Sequence, residues 1–148
     1  GYYHDPLVTA EVIDKDGWLR TGDIGKIDKN GYIELTGRCK DMYKVGGENV
    51  SPTEVERAIE ENEKIALAIA IGIPDDKMGE IGVAFIQNNQ GEQCTEEEIR
   101  RFCETKLGKF MIPQYFIFME EEDWPLTETN KIQKAKLKDR AMQELSRK

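Results

Sequence analysis

The sequence has few of the residues from which metal sites and thiol-dependent catalytic sites are built. His4 is the only histidine, and no two cysteines have C-x-x-C spacing. A single histidine without a cysteine or carboxylate cluster predicts neither a metal site nor a catalytic dyad. Cys39, Cys94 and Cys103 leave one thiol unpaired in any disulfide scheme, which is typical of a reducing compartment. We therefore expect a cytoplasmic location, or the mitochondrial matrix if the source is eukaryotic.

Long hydrophobic runs and an excess of positive charge are also absent. The longest apolar run, residues 65–73, is too short to span a bilayer, and no signal peptide opens the chain. The 148 residues include 29 acidic and 21 basic side chains, a net charge of −8. Nucleic-acid-binding surfaces are usually basic. We therefore expect neither a transmembrane segment nor a nucleic-acid partner.

Residues 1–39 favour a short helix followed by a β-hairpin. The helix is predicted at residues 6–13 and the strands at residues 24–27 and 32–35. The dipeptide Asn30-Gly31, a strong hairpin signal, lies between the strands. We expect this segment to be the tail of a preceding β-rich domain.

Residues 40–148 alternate between strand and helix patterns. The predicted strands are 40–44, 48–50, 65–73, 81–86 and 115–119, and the predicted helices follow Ser51, follow Thr95 and cover residues 133–145. Ser51 and Thr95 each precede a glutamate by three residues, which predicts two capping boxes. Pro74 is expected to end a strand, and Gly108 a helix. This order predicts an α/β fold of the α+β type, in which helices cover a small mixed β-sheet.

Residues 37–56 combine a basic cluster, a flexible glycine pair and a strong helix start. The cluster contains Arg38, Lys40 and Lys44, and the pair is Gly46-Gly47. Cations before a glycine turn and a helix favour a loop that handles a phosphate-bearing ligand. A solvated surface has the same composition, so the residues alone leave both interpretations open.

This stretch resembles the hinge motif of the adenylate-forming acyl-CoA synthetase superfamily. Two more motifs of that family flank it in the expected order. Residues 18–23, WLRTGD, are similar to the ribose-binding motif, and residues 125–134, PLTETNKIQK, are similar to the catalytic lysine motif. Residues 1–6, GYYHDP, match a segment that precedes the ribose motif. The resemblance therefore extends over essentially the whole chain.

The resemblance implies roles in activating a carboxylic acid with ATP. Lys131 matches the catalytic lysine, a mobile cation that stabilises the meeting of the carboxylate and the α-phosphate. Asp23 matches the aspartate that binds the ribose hydroxyls, and Arg38 an arginine near the ribose and phosphates. Without the motifs, Lys131 would be read as a solvated lysine and Asp23 as a turn residue. Arg38 would be read as part of a surface salt bridge. Asn130 replaces the usual glycine, but asparagine tolerates a left-handed backbone, so we expect the turn to survive.

A second set of residues is implied for the transfer of the acyl group to a thiol. Lys40 matches the hinge about which the C-terminal domain swings, and Asp41 is the alternative pivot. Gly46 and Gly47 would face the pantetheine arm of CoA, because backbone without side chains allows close approach. Lys44 would neutralise a phosphate or assist transfer. The alternatives are that Gly46 and Gly47 form an ordinary turn and that Lys44 is an exposed lysine without a specific role.

The family forms an acyl-adenylate with release of pyrophosphate, then an acyl thioester with release of AMP. Phrases such as GGENVSPTEVE are most similar to fatty acid–CoA ligases, so the expected substrates are a small carboxylic acid, ATP and CoA. An aryl-acid ligase or a domain that loads a carrier protein are alternatives. A non-catalytic regulatory or docking module is an alternative of another class.

The glycine-rich phosphate loop of the family is absent from this sequence. We therefore expect a missing N-terminal domain to supply the acyl pocket, most of the ATP site and the ligands of Mg²⁺. Residues 1–39 would be the tail of that domain, and residues 40–148 the mobile C-terminal domain. The fragment alone is expected to be inactive.

Overall fold

The computed structural model describes residues 1–145 and divides the chain into two compact units, Gly1–Lys40 and Asp41–Lys148. The first unit contains helix α1 (Pro6–Val12) and strands β1 (Asp23–Ile27) and β2 (Ile33–Arg38). A 3₁₀ turn (Cys39–Asp41) follows. The elements of the second unit are β3 (Tyr43–Val45), β4 (Glu48–Val50), α2 (Pro52–Glu60), β5 (Ile65–Asp75), β6 (Gly79–Asn88), α3 (Glu96–Glu104), β7 (Tyr115–Phe118) and α4 (Lys134–Leu145).

The first unit is a helix and an antiparallel hairpin without a buried core. The Asp28 carboxylate accepts hydrogen bonds from the Asn30 and Tyr32 backbone N–H groups at 2.8 and 2.9 Å, which closes the predicted turn. These bonds hold the pKa of Asp28 below its ordinary value. No residue of the unit is buried, and Trp18, Tyr32 and Ile33 are each more than two-thirds exposed. This unit therefore has no hydrophobic core of its own.

The second unit contains the predicted small mixed sheet covered by helices. The strand order is β4-β3-β6-β5, and these neighbours are antiparallel, whereas β7 pairs parallel with β6. The long β5–β6 ladder joins Ile65 with Asn88 at one end and Asp75 with Gly79 at the other. The prediction of the fold class is therefore confirmed.

Strand β6 is buried on both faces of the sheet. Alternate residues Ile81, Val83 and Phe85 belong to a core with α4, which contributes Leu137 and Ala141. Their neighbours Ala84 and Ile86 belong to the opposite core with α2 and α3, which contribute Ile59 and Ile99. This alternation is the two-residue period of a strand. Removing the side chain of a buried isoleucine or phenylalanine typically costs roughly 2–5 kcal/mol, so the two cores tie three helices to one sheet.

Strand β5 forms one edge of the sheet and runs through the expected stop at Pro74. Pro74 pairs in register with Glu80, and the strand ends at Asp75. Proline is tolerated there because an edge strand does not need every backbone donor. Helix α2 covers part of this edge: the carboxylates of Glu60 and Glu56 accept the Ala68 and Ala70 N–H groups, both at 3.0 Å. These two bonds occupy backbone donors with which another strand would otherwise pair.

Three other local predictions were wrong in whole or in part. Thr95 and Glu98 form the predicted capping box of α3. The side chain of Ser51, however, makes no cap bond to α2, and its backbone oxygen accepts the first helical N–H groups instead. Helix α3 ends at Glu104, well before Gly108, whose φ of −63° is not left-handed. The strand expected at residues 40–44 begins only at Tyr43, because Cys39–Asp41 form the 3₁₀ turn.

Tyr43 fills the space above a pair of glycines in the sheet. Gly72 and Gly82 are register partners, and a Cβ atom added to Gly72 would lie 2.2 Å from the Tyr43 Cβ atom. The Tyr43 hydroxyl is buried and has no hydrogen-bond partner among residues 1–145. Burial, followed by the negative charges of Glu56 and Glu80, raises the pKa of Tyr43 well above its ordinary value.

We expect Tyr43→Phe to keep or increase the free energy of unfolding at neutral pH, by up to about 1 kcal/mol, because an unpaired buried hydroxyl is lost. The folded state retains the Tyr43 proton more strongly than the unfolded state. The preference of the folded state for protonated Tyr43 therefore costs no stability below the ordinary tyrosine pKa of about 10. As the pH rises above that value, the unfolded state loses the proton first, and the free energy of unfolding falls. In urea denaturation between about pH 8 and about pH 11, the free energy of unfolding should fall less in Tyr43→Phe than in the unsubstituted protein.

Tyr115→Phe is the control, because the Tyr115 hydroxyl accepts a hydrogen bond from Gln114. Identical pH curves for Tyr43→Phe and the unsubstituted protein would contradict a raised pKa of Tyr43.

Candidate functional site

Asp23 and Arg38 form an ion pair at one end of the β1–β2 ladder. They are register partners, and Arg38 Nε lies 2.9 Å from Asp23 Oδ1. The Arg38 guanidinium also donates to the Thr21 carbonyl oxygen at 3.4 Å, and Thr21 Oγ1 accepts the Asp23 N–H at 3.1 Å. Both charged side chains remain at least one-third exposed. The pair thus presents a carboxylate oxygen and guanidinium donors to solvent, which suit hydroxyl groups and a phosphate respectively.

The 3₁₀ turn Cys39–Asp41 lies where the chain passes from one compact unit to the other. The division falls between Lys40 and Asp41, the two predicted hinge residues. Lys40 is exposed and Asp41 is half-buried. A short turn between two units, with an exposed side chain, can change its backbone angles without disturbing a core.

The glycine pair forms the tight turn of the β3–β4 hairpin. Gly46 and Gly47 have φ values of +59° and +91°, the positive angles that a type I′ turn requires at both central positions. The turn is fixed by the bond from Gly46 N–H to the Met78 carbonyl oxygen at 2.9 Å, and by Lys44 N–H donating to Glu80 Oε2 at 2.8 Å. A Cβ atom at Gly47 would meet nothing within 4 Å. The backbone at Gly47 is therefore open to close approach by a ligand.

A cavity of about 650 Å³ opens beside the glycine turn. Val45 and Met78 line its near side, and Arg100, Lys109 and Phe110 line the other. Arg100 is held by the backbone carbonyl oxygens of the segment before β7, with Nη1 donating to Pro113 at 3.1 Å, and by the ring of Phe116 at 4.9 Å. The Lys109 ammonium, in contrast, has no hydrogen bond or ion pair within residues 1–145. Lys109 and Phe110 thus offer the cavity a cation and an aromatic surface, which the sequence motifs did not indicate.

Lys131 lies at the end of a tight turn just before α4. The Thr127 N–H donates to the Lys131 carbonyl oxygen at 2.8 Å, and the Lys131 N–H donates to Thr127 Oγ1 at 3.0 Å. Asn130 has a φ of +57°, so asparagine adopts the left-handed conformation expected of the glycine that it replaces. The Lys131 side chain is exposed, and its ammonium has no partner within the described part of the chain. A rigid backbone therefore presents a free cation.

Lys134, three residues further on, makes an ion pair that the motifs did not reveal. Its Nζ atom lies 2.9 Å from Glu56 Oε1 on α2. The two residues are 78 positions apart in the chain, so no local pattern could connect them. Glu56 closes the hinge motif and Lys134 closes the lysine motif. The pair thus joins the last residues of two motifs.

The predicted site residues fall into four groups. Asp23 and Arg38 are brought together in the first unit, and Lys40 and Asp41 lie in the turn between the units. Lys44, Gly46 and Gly47 share one hairpin of the second unit, whereas Lys131 lies on a different element of that unit. Among residues 1–145, no cluster of three or more histidine, cysteine, aspartate or glutamate side chains has the arrangement of a metal site. The second unit alone thus offers two separate exposed features, an open glycine turn and a free cation.

The family model of the AMP-binding enzyme C-terminal domain matches residues 54–131, more than half of the chain. The chain belongs to this family. The matched residues lie within the second unit described above, and the resemblance stated from the motifs is confirmed.

Relatives from several organisms resemble this chain over nearly its whole length. The rat medium-chain acyl-CoA ligase ACSF2, mitochondrial, is 43% identical over 145 residues, which cover 98% of this chain and 23% of the relative. Among solved structures, a fatty acyl-CoA synthetase of Mycobacterium tuberculosis is 40% identical with a TM-score of 0.69, over 91% of this chain and 26% of that one. ATP-bound MatB of Rhodopseudomonas palustris is 33% identical with a TM-score of 0.83, over 94% and 27%. The chain thus spans about a quarter of the length of the relatives that it matches.

Among residues 1–145, no helix is both long and apolar enough to cross a membrane.

Proposed function

We propose that this chain is the C-terminal part of an ATP-dependent acid–CoA ligase. The observation that carries the proposal is the pair of exposed features on the second unit, the Lys131 turn and the Gly46-Gly47 turn, which suit different chemical steps. The enzyme would activate a carboxylic acid as an acyl-adenylate, release pyrophosphate, and transfer the acyl group to CoA with release of AMP. Relatives named as a medium-chain acyl-CoA ligase and a fatty acyl-CoA synthetase support a fatty acid as the substrate.

In the first step, a carboxylate oxygen attacks the α-phosphorus of ATP and pyrophosphate leaves. Two anions must meet, and the exposed Lys131 ammonium offsets their repulsion and the charge that develops in the transition state. Asp23 accepts hydrogen bonds from the ribose hydroxyls, while Arg38 contributes positive charge near the phosphates. The free cation at Lys131 and the solvent-facing Asp23–Arg38 pair support this assignment.

In the second step, the thiol of CoA attacks the acyl carbon and AMP leaves. The open backbone at Gly47 allows the narrow pantetheine arm to pass, and Lys44 supplies a nearby cation. The adjacent cavity, with Lys109 and the exposed ring of Phe110, suits the charged nucleotide end of CoA. Names of the relatives favour CoA over a carrier-protein thiol as the acceptor.

The two steps need different surfaces of residues 40–148, so we propose that this domain swings about Lys40. Residues 1–39 would remain with a larger adenylation domain in the same protein. Their lack of any buried residue supports this division, because the exposed apolar side chains of the hairpin need a larger body to cover them. That body would also hold the Mg²⁺ ion that accompanies ATP and would contain the acyl pocket.

We infer that the protein is located in the cytoplasm, or in the mitochondrial matrix if the source is eukaryotic. The free state of Cys39, Cys94 and Cys103 supports a reducing compartment, and the rat relative is named as mitochondrial.

Lys131→Ala in the full-length protein tests the proposed function directly. We expect adenylate formation, measured by pyrophosphate exchange with a panel of fatty and aryl acids, to fall by roughly two to four orders of magnitude. Thioester formation from a supplied acyl-adenylate should be largely unaffected, because the proposed domain swing takes Lys131 away from the reacting atoms before that step.

Lys136→Ala, which removes an exposed lysine of α4, is the control for loss of charge. Equal damage to both steps would show a structural role for Lys131, and an unsubstituted protein that activates no acid would refute the proposed function.

Gly47→Leu should separate the second step from the first. The added side chain points into the space proposed for the pantetheine arm, so we expect thioester formation to fall roughly tenfold or more while adenylate formation changes little. Gly91→Leu is a matched control, because Gly91 has a φ of +83° and a Cβ atom there would also meet nothing within 4 Å. The Gly91→Leu substitution imposes a similar backbone strain in a different loop. If both variants lose thioester formation equally, strain rather than obstruction is the cause.

A further inference from the structure

The Lys134–Glu56 ion pair lies at the open edge of the sheet, where the two covering layers meet. Helix α2, which carries Glu56, packs on one face of β5, and α4, which begins at Lys134, packs on the other. The pair therefore links the two layers around the edge strand. Glu56 is only 15% exposed and Lys134 36% exposed, so solvent screens this pair less than it screens a fully exposed pair.

The position of the Glu56 carboxylate is determined by the strand that it covers. The same Oε1 atom that contacts Lys134 accepts the Ala70 N–H at 3.0 Å. Because β5 is paired along its length with the buried strand β6, the acceptor for Lys134 is tied to the β5–β6 ladder. The Lys134 ammonium is therefore held at a defined place relative to the sheet.

A short series of backbone contacts connects Lys134 to Lys131. Gln133 N–H donates to the Pro125 carbonyl oxygen at 2.8 Å, and the Gln133 side chain donates to the Leu126 carbonyl oxygen at 2.6 Å. Ile132 pairs with Leu126 as an isolated antiparallel bridge. The next contact is the Thr127–Lys131 turn itself. Each residue from 131 to 134 is thus fixed to a neighbour, so a shift of Lys134 would be passed to the turn.

We propose that Lys134 and Glu56 are positioning residues that hold the base of the Lys131 turn for adenylate formation. This inference rests on the proposed function of Lys131. Neither residue contacts the reacting atoms; the ion pair sets where the Lys131 ammonium stands relative to the rest of the domain. A displacement of about 1 Å in a catalytic group can slow a reaction by roughly 100-fold. Loss of an ion pair at the base of the turn can therefore lower the rate of adenylate formation.

The test uses the full-length protein and compares Lys134→Gln, Lys134→Arg and Glu56→Gln. Lys134→Gln should lower kcat for pyrophosphate exchange by roughly 10- to 100-fold, with the KM values for ATP and acid nearly unchanged. Thioester formation from supplied acyl-adenylate should stay normal. Lys134→Arg should restore most of the rate because arginine also pairs with a carboxylate. Glu56→Gln keeps an acceptor for the Ala70 N–H but loses the charge, so it should reproduce Lys134→Gln, and the double variant should be no worse than either single variant.

A matched control is available in the same helix. Arg140 and Glu144 form an ion pair at 2.8 Å with similar exposure of the basic residue, but neither lies near the turn. Arg140→Gln should leave both steps unchanged. Hydrogen exchange gives a readout that does not depend on activity: the amides of Asn130 and Lys131 should exchange faster in Lys134→Gln than in Arg140→Gln.

Two results would overturn the inference while leaving the proposed function intact. One is normal pyrophosphate exchange in Lys134→Gln under conditions in which Lys131→Ala is inactive. The other is an equal loss of both steps together with a lower melting temperature, which would show that the ion pair only stabilises the fold. If the unsubstituted protein forms no adenylate with any acid, the proposed function and this inference both fail.

Discussion

The burial of β6 on both faces is the constraint on which the second unit depends. A strand with apolar residues at successive positions needs a covering layer on each side of the sheet. Helices α2 and α3 supply one layer and α4 supplies the other. Because each helix is fixed through a core with β6, the turns at their ends are fixed as well. The Lys131 turn immediately precedes α4, and the glycine turn is tied to the β5–β6 connection through Met78.

This arrangement suits a domain that moves as one body and presents different turns in succession. In the proposed function, the Lys131 turn serves adenylate formation and the Gly46-Gly47 turn serves thioester formation. Neither turn needs to change its own shape, because backbone hydrogen bonds hold each of them. A pivot at Lys40 would then account for the change between steps. In this proposal the chemistry is divided between two sites on one domain, and the hinge determines which site is used.

The sequence was sufficient to predict the elements that depend on local signals. The alternating apolar residues of β6, the Asn30-Gly31 turn and the Thr95 cap all carry their information within a few residues. Predictions failed where tertiary context prevailed: Pro74 continues a strand because that strand is an edge, and Gly108 ends no helix because α3 stops earlier. The boundaries of single elements were therefore less predictable than their order.

The site was predictable from the sequence to the extent that its residues lie in contiguous motifs. The motifs indicated Asp23, Arg38 and Lys131. The structure adds that the first two pair and that the Lys131 ammonium has no partner among residues 1–145. The roles of these residues remain predictions. The Lys134–Glu56 pair and the cavity beside Lys109 combine residues from distant parts of the chain. Only a folded structure reveals such combinations, because no spacing rule connects them.

We propose that one domain turns about Lys40 to serve two steps, and the distance between the two units distinguishes this turn from a fixed arrangement. Dyes on Lys29→Cys and Gln90→Cys, both exposed positions, would report the separation of the two units in a full-length protein carrying Cys39→Ser. The account predicts one distance with ATP and acid and a different distance with acyl-adenylate and CoA. Lys40→Pro, which restricts the backbone at the pivot, should show a single distance in all states. An unsubstituted protein with the same distance throughout both steps would contradict the account.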